Sequence, residues 1–421
     1  MAATVHIVGA GLSGLAAAVD LAADGVPVIL YEAAPYAGGR CRSYYDPVVG
    51  RIIDNGNHLV LSGNRAIARY LGILGVRDRL AGPADAEFPF LDVASGERWS
   101  VRPSAGPLPW WIFARDRRVP GSRPADYLAG LRLARAAPEE TVAGCLGNGP
   151  LFHRFWEPLA VGVLNTPAEE GAAWLLWPVL RETFGRGAAA CRPLIAREGL
   201  GHCFVEPALA FLTQHRATIR LATRVREIEL AGDRITCLVT TTDRVEMGDN
   251  DVVILAVPAP VAADLVPVTT PDAHAAIVNG HFRLDHPASG SGPGPSLLGL
   301  VGGLCHWLFL RGDVASVTIS AADHLLDQPA GDLAAAMWAD VAIALGESAQ
   351  TVPPCRVVRE KRATFRQTPE QVARRPRCAT RWSNLFLAGD WTDTGLPATL
   401  EGSVRSGNSA AAKAKVAAGR A

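Results

Sequence analysis

The pattern Gly9-Ala10-Gly11-Leu12-Ser13-Gly14 constrains this chain more than any other feature, because of what flanks it. Thr4 to Val8 (TVHIV) reads as a buried parallel strand. Helical sequence follows the glycines to about Asp24, Gly25-Val26-Pro27 turns the chain, and Val28 to Tyr31 reads as a second strand ending at Glu32. Gly9 allows a tight turn, Gly11 lets a pyrophosphate approach the backbone, and Gly14 lets helix and strand pack closely. Leu12 and Ser13 fall in the first helical turn, whose free N–H groups and positive dipole end favour a phosphate. Glu32, 18 positions past Gly14, is placed to accept both hydroxyls of a ribose. Glycine spacing alone is a weak signal, but with strand, helix and terminal acid it predicts a dinucleotide site.

Composition narrows the class. A chain of 421 residues has the length of two or three domain-sized units, and nearly half of it is apolar. Lys plus Arg and Asp plus Glu are 41 each, so no global charge points to nucleic acid, and no nucleic-acid partner is expected. The eight cysteines are scattered without a CxxC pair, which supports no zinc site and fits reduced cytosolic thiols. The apolar run Val5 to Ala23 lacks a basic leader and is punctuated by glycines, so it is not read as a signal peptide. No uninterrupted stretch of about 20 apolar residues occurs, so no spanning helix is expected.

Towards the other end, Asn384 to Ala388 (NLFLA) reads as a strand closing on Gly389-Asp390. Trp391 through Pro397, then Ala398-Thr399-Leu400-Glu401-Gly402, lead into a helix of small residues. Arg220 to Leu230 and Asp251 to Val257 read as two further strands. Phe88 to Ala94 and Glu97 to Arg102 form an expected hairpin around Ser95-Gly96. Residues 138–200 are expected to be mostly helical, and Leu284 to Ser296, rich in Gly, Pro and Ser, to be a loop.

Gly38-Gly39-Arg40 after Glu32 resembles the flavin amine oxidase and phytoene desaturase superfamily. Further stretches are more specific: GGRCRS from Gly38, IDNGNHL from Ile53, AIVNGHF from Ala276, EKRATF from Glu360, and LAGDWT through GLPATLEG to Gly402. Together they span nearly the whole chain and resemble the hydroxysqualene dehydroxylase family of squalene-associated FAD-dependent desaturase-like enzymes. Two positions depart from that pattern, both read as affecting the pocket: Asn57 stands where a glutamine is expected, and Gly280 where an apolar residue is expected.

The resemblance implies an α/β fold: a discontinuous Rossmann-like FAD-binding domain, with a parallel sheet and helices, plus an α+β substrate domain with a mixed sheet and a helical layer. The first is assigned residues 1–62, 200–262 and 376–421, the second 63–199 and 263–375. It implies that Gly39 and Arg40 lie under the pyrophosphate, that the Val225 backbone meets adenine, and that Asp390 of Gly389-Asp390 holds the ribityl chain. Gly56, Asn57 and His58 then lie against the flavin, as do Ala398, Thr399 and Leu400 at a helix start. That helix start would stabilise the anionic reduced flavin through its dipole.

The implied reaction delivers hydride from reduced flavin N5 to an allylic carbon of hydroxysqualene as the hydroxyl leaves as water, giving squalene. The same scaffold serves carotenoid- and phytoene-type desaturases in the oxidative direction, and this alternative stays open. A flavin amine oxidase fits less well, for want of a cysteine for covalent flavin attachment and of an acidic pocket. A lipid-binding chaperone of the Rab GDP dissociation inhibitor type has no need of both Glu32 and Gly389-Asp390.

Two residues are candidates for catalysis. His58 has an ordinary pKa suited to acid work, though a structural hydrogen bond would explain it equally. Lys361 is the one lysine in the body of a chain with 38 arginines, since Lys413 and Lys415 sit in the terminal helix. The aromatics Trp110, Trp111, Phe113, Phe152, Phe155, Trp156, Trp174 and Trp177 suit either a long tunnel or ordinary core. Residues 107–136 mix Trp, Ile, Phe and Leu with six arginines against two aspartates, the composition of an element lying on anionic lipid. The alternatives are a solvated loop and a subunit face. A long apolar isoprenoid-like substrate, an external electron donor, and a cytoplasmic location on the inner face of the membrane complete the expectation.

Overall fold

Four-residue strands buried at every position organise the first layer. Val5–Val8 and Val252–Leu255 are fully buried and wholly or almost wholly apolar, as a parallel sheet covered on both faces requires. In this computed structural model, which describes residues 3–287 and 296–419, they sit centrally in a five-stranded parallel sheet. Its order is Thr218–Arg220, Val28–Tyr31, Val5–Val8, Val252–Leu255, Leu385–Leu387. Helix Leu12–Ala23 and the last helix, Leu400–Ala417, pack together beside it. A Cβ on Gly407 would lie 2.2 Å from the Ser13 carbonyl oxygen, so the helices touch backbone to backbone. The glycine loop after the first strand and Gly389-Asp390 after the last therefore emerge at the same, carboxyl, end of the sheet, where such sheets bind ligands.

Arg220 to Leu230 is not one strand. Thr218–Arg220 ends in the parallel sheet, Ala222 takes φ +50, and Val225–Ala231 starts a separate three-stranded antiparallel sheet with Arg234–Thr240 and Arg244–Glu246. The break has a cause: Ala222 N–H donates to Ala34 and Thr223 N–H to the Glu32 carbonyl, at 2.9 and 2.8 Å. The backbone there is spent on the loop after the second strand instead of on strand pairing.

A seven-stranded mixed sheet forms the other half, in the order Cys355–Phe365, His274–Arg283, Val314–Ile319, Trp307–Arg311, Ser296–Val301, Phe88–Asp92, Arg98–Val101. Ser296–Val301 pairs parallel with Phe88–Asp92, and every other neighbour is antiparallel. The expected hairpin is there. The Asp92 carboxylate accepts from Ala94 and Ser95 N–H, and Gly96 takes φ +74. Helix Ala330–Leu345 covers one face. Gly280 points at it, and a Cβ would meet Met337 at 2.9 Å. The departure at Gly280 thus fits helix packing and not the pocket. Short helices between Val142 and Cys191 supply the helical layer. Most of the expected 284–296 loop, residues 288–295, lies outside the described residues.

Candidate functional site

The glycine loop is built as its spacing requires. Gly9 takes φ +104, and a Cβ there would lie 2.5 Å from the Ala256 carbonyl oxygen. One on Gly14 would lie 1.9 Å from the Gly9 oxygen. Both are obligatory for the fold. Gly11 differs: a Cβ would meet nothing within 4 Å, because that side of the loop faces the cavity. Gly11 is also the N-cap of helix Leu12–Ala23, with no side chain capping it, so the first-turn N–H groups of Leu12 and Ser13 are free for an anion. Gly38 and Gly39 take φ +106 and +56 and lay a second loop against the first, Gly38 N–H donating to the Ala10 carbonyl at 2.8 Å. A bare backbone cradle under an uncapped helix end fits a pyrophosphate.

Glu32 closes the next subsite. Its carboxylate accepts one backbone N–H per oxygen, from Ala10 at 2.8 Å and Ala34 at 2.9 Å. It thus braces the glycine loop as well as presenting its remaining lone pairs to the cavity. Val225, the first residue of its strand, lines the cavity beside Thr223, which is bonded to the Glu32 backbone.

Arg40 does more than the sequence suggests. Its Nη2 donates to Asp390 Oδ1 at 2.8 Å, and its Nη1 to the Ala363 carbonyl. One side chain therefore clamps the second loop, the Gly389-Asp390 turn and the mixed sheet. Burial alone would lower the guanidinium, but the Asp390 carboxylate overrides it and holds it above its ordinary value. Gly389 takes φ +151, and a Cβ would strike Trp391, whose Nε1 donates to the Val257 carbonyl at 2.8 Å. Ala398, Thr399 and Leu400 line the cavity at the start of the last helix. Thr399 Oγ1 caps that helix by accepting from Gly402 N–H, and Ala398 N–H donates to buried Gln367.

Glu401 and Asn279 went unassigned in the sequence although both lie in family-like stretches. Glu401 is 4% exposed and accepts from Ala66 and Ile67 N–H at 2.9 and 3.0 Å. It caps helix Arg65–Ile73, whose own N-cap, Asn64, makes no capping bond. Arg405 joins it at 3.2 Å while also pairing with Glu182 at 2.6 Å.

The two glycine loops, Glu32, Val225, Arg40, Gly389-Asp390 and the start of the last helix border one cavity of about 1170 Å³. That exceeds the roughly 300–1,000 Å³ usual for a single small ligand. It runs from the glycine cradle to an aromatic wall that includes Phe88, Phe90, Phe155 and Phe184. Of the eight aromatics expected to line a tunnel, only Phe155 does so; Trp111, Phe152 and Trp156 are buried core, Trp174 and Trp177 pack partly buried against it, and Trp110 and Phe113 are on the surface. Gly56, Asn57 and His58 line the cavity in the loop after strand Arg51–Asp54.

His58 is corrected in its chemistry. Burial, aided by the Arg40 charge and opposed by Asp54, pushes its pKa down to about 4. It is neutral near pH 7 and holds no imidazolium proton to give. Lys361 is corrected in its position. It is exposed and is not among the cavity-lining residues, whereas its neighbours Glu360 and Arg362 are. Its strand is irregular here, the pairing register shifting between Ala275–Thr364 and Ile277–Glu360, and Lys361 is left on the solvent side. Asp54 is a tie: it accepts from Ser43 Oγ at 2.5 Å and Leu200 N–H at 2.9 Å, and pairs with Arg311 at 2.9 Å.

Comparison with known proteins identifies the family. The family model of flavin containing amine oxidoreductases matches residues 12–414. A hydroxysqualene dehydroxylase of Sinorhizobium fredii is 48% identical over 413 residues, covering 98% of each chain. One of Rhodopseudomonas palustris is 47% identical over 425 residues, covering 100% of both. The solved structure of cyclohexylamine oxidase from Brevibacterium oxydans superposes with a TM-score of 0.69 over 99% of each chain at 16% identity, a likeness of fold.

Proposed function

The chain belongs to the flavin containing amine oxidoreductases and, within them, to the hydroxysqualene dehydroxylase family, and from this premise we propose that it converts hydroxysqualene to squalene. The observation that carries the reading is the continuity of one cavity from a phosphate cradle to an apolar, aromatic wall. FAD is the cofactor, and when bound it supplies, in its reduced form, the hydrogen and electron pair that the reaction consumes. The C–O bond breaks with its electrons going to oxygen, a proton from solvent completes water, and the carbon takes up the delivered hydrogen.

The protein's part is to bind, orient and keep dry. Gly9, Gly11, Leu12, Ser13 and Gly14 hold the pyrophosphate, Glu32 the ribose and the Val225 backbone the adenine. Gly39 and Arg40 support the second loop, and Asp390, fixed by Arg40, holds the ribityl chain. Gly56, Asn57, His58, Ala398, Thr399 and Leu400 surround the redox end. Aromatic walls exclude water and give a developing allylic cation electron-rich faces. The electrons come from an external donor.

The substrate enters, on this reading, from a bilayer. Leu108, Trp110, Phe113, Leu128 and Leu131 are each more than half exposed, among the exposed Arg115, Arg117, Arg123, Arg132 and Arg135. Such a face suits the boundary of an anionic membrane. It adjoins the cavity: Trp111 packs on Phe155, a cavity-wall residue, with ring centroids 6.3 Å apart. Among the described residues no helix is long and apolar enough to cross a membrane; the contact proposed is a peripheral one, at the inner face of the cell membrane.

The test is anaerobic. Photoreduced holoenzyme is mixed with hydroxysqualene in detergent, flavin reoxidation is followed at 450 nm, and the product is extracted. Squalene formed in proportion to flavin oxidised is the expected result. No squalene and no reoxidation overturns it, and turnover of phytoene by the oxidised enzyme would establish the desaturase direction.

A further inference from the structure

Among the described residues, one side chain lining the cavity carries a buried donor without a partner. Asn279 lies mid-strand in His274–Arg283, is 0% exposed to solvent, and borders the cavity. Its amide orientation is fixed through a chain of bonds. Asn57 Nδ2 reaches the Val317 carbonyl at 3.5 Å and donates to Thr318 Oγ1 at 3.0 Å, which orients the Asn57 amide. Thr318, directly across the ladder, then gives its hydroxyl proton to Asn279 Oδ1 at 2.8 Å. The Asn57 amide also approaches that oxygen, at 3.4 Å. The oxygen end of Asn279 is thereby occupied, and Nδ2 is turned away with no partner.

An amide donor left dry and unpaired in a folded protein costs about 1–3 kcal/mol, and such exceptions call for an explanation. Here it is built in by three side chains from three segments. Its surroundings limit what it serves. On the strands around Asn279 this wall carries the apolar Ile277, Trp307 and Phe309, with Thr318, Ser320 and Glu360 as its polar members. The residues that would hold the phosphate, ribose and ribityl groups lie on the parallel-sheet side. Nδ2 and His58 Nε2 converge over Gly56, at 3.5 and 3.9 Å from the point a Cβ there would occupy. A long hydrocarbon with one oxygen atom offers such a place one acceptor.

We propose that Asn279 Nδ2 donates its hydrogen bond to the hydroxyl oxygen that leaves the substrate, with Thr318 and Asn57 as positioning residues that aim it. The assignment rests on the dehydroxylase reading. As the C–O bond lengthens, its electron pair moves to oxygen, and a preorganised N–H stabilises that charge until a proton from solvent completes water. The hydrogen that replaces the hydroxyl comes with its electron pair from reduced FAD. A neutral donor suits a pocket whose histidine is uncharged.

The experiment compares parent, Asn279→Ala and Thr318→Val holoenzymes. Flavin content, the 450 nm band and reoxidation of photoreduced enzyme by ferricyanide are expected to match the parent. Single-turnover reoxidation by hydroxysqualene is expected to slow about 10²–10³-fold in Asn279→Ala, the effect of removing one such donor, and less in Thr318→Val. Affinity for squalene, which lacks the oxygen, is expected to be unchanged while that for hydroxysqualene falls. Equal hydroxysqualene rates in parent and Asn279→Ala overturn the assignment. So does a loss shared by ferricyanide and hydroxysqualene, which would place the amide on the flavin. A parent enzyme that makes no squalene at all overturns the dehydroxylase reading itself, a result distinct from either.

Discussion

Replacing Glu401 tests whether the cofactor end of the last helix and the capped helix Arg65–Ile73 are one mechanical unit. In Glu401→Ala, two charge-assisted bonds to Ala66 and Ile67 N–H disappear, and both donors lose their partner at a helix start that Asn64 does not cap. A hydrogen bond to a charged group is worth about 1.5–3 kcal/mol. Arg405 is not orphaned, because Glu182 remains 2.6 Å away, so no further term for an unpaired buried charge is added. The two bonds therefore sum to about 3–6 kcal/mol. Unfolding entropy of about 2.1 cal/mol/K per residue over 421 residues is about 0.9 kcal/mol/K. The expected fall in Tm is about 3–7 °C. Glu401→Gln keeps one acceptor oxygen, leaves one N–H unpaired, and is expected to lose about 1–3 kcal/mol, or about 1–3 °C. Calorimetry on FAD-saturated protein reads both. Hydrogen exchange should speed in a peptide over 65–73 and not in one over 5–8. Tm values for both variants within 0.5 °C of the parent would refute the capping argument.

Gly11→Ala is expected to fold with the parent's apo-protein Tm yet purify with little flavin, because its Cβ enters the cradle, whereas Gly14→Ala, with its Cβ against the Gly9 oxygen, is expected to fail to fold; far-ultraviolet dichroism with flavin content separates the two. Burial pushes the fully buried His281 down to about 4, so the unfolded chain, with an ordinary pKa near 6.5, binds the extra proton between those values. Its contribution is complete above pH 6.5 and is lost as pH falls towards 4, by about 3 kcal/mol; a His281→Gln variant should show a smaller Tm loss from pH 7.5 to 4.5 than the parent, and equal losses would contradict this. Lys361→Ala should keep hydroxysqualene turnover within about twofold of the parent, since the side chain is exposed and off the cavity wall; a tenfold loss would return it to the site. Trp110→Ala with Phe113→Ala should weaken co-sedimentation with phosphatidylserine vesicles without lowering flavin content, and unchanged binding would remove this face from the membrane.

What the chain discloses in advance depends on the range over which each residue acts. Val5–Val8, Val28–Tyr31 and the glycine loop are legible because a strand buried on both faces needs a continuous apolar run, and the loop's backbone needs glycine within a few positions. Arg220 to Leu230 misleads because its alternation runs through a break imposed by Ala34 and Glu32, nearly 190 residues earlier. Lys361 stands out by rarity, but rarity has no direction. The cavity wall takes in Glu360 and then Arg362 through Phe365 across an irregular register, so alternation does not place Lys361, and only the packed sheet shows that it is left out. Glu401 sits inside a motif that reads as cofactor-binding, while its carboxylate works on a helix start 335 positions away in the chain. Asn279 follows the apolar run Ala275 to Val278, where an amide either pairs or serves a ligand. Thr318 satisfies half of it, and the half left over is the part that sequence alone cannot distinguish from a satisfied core residue.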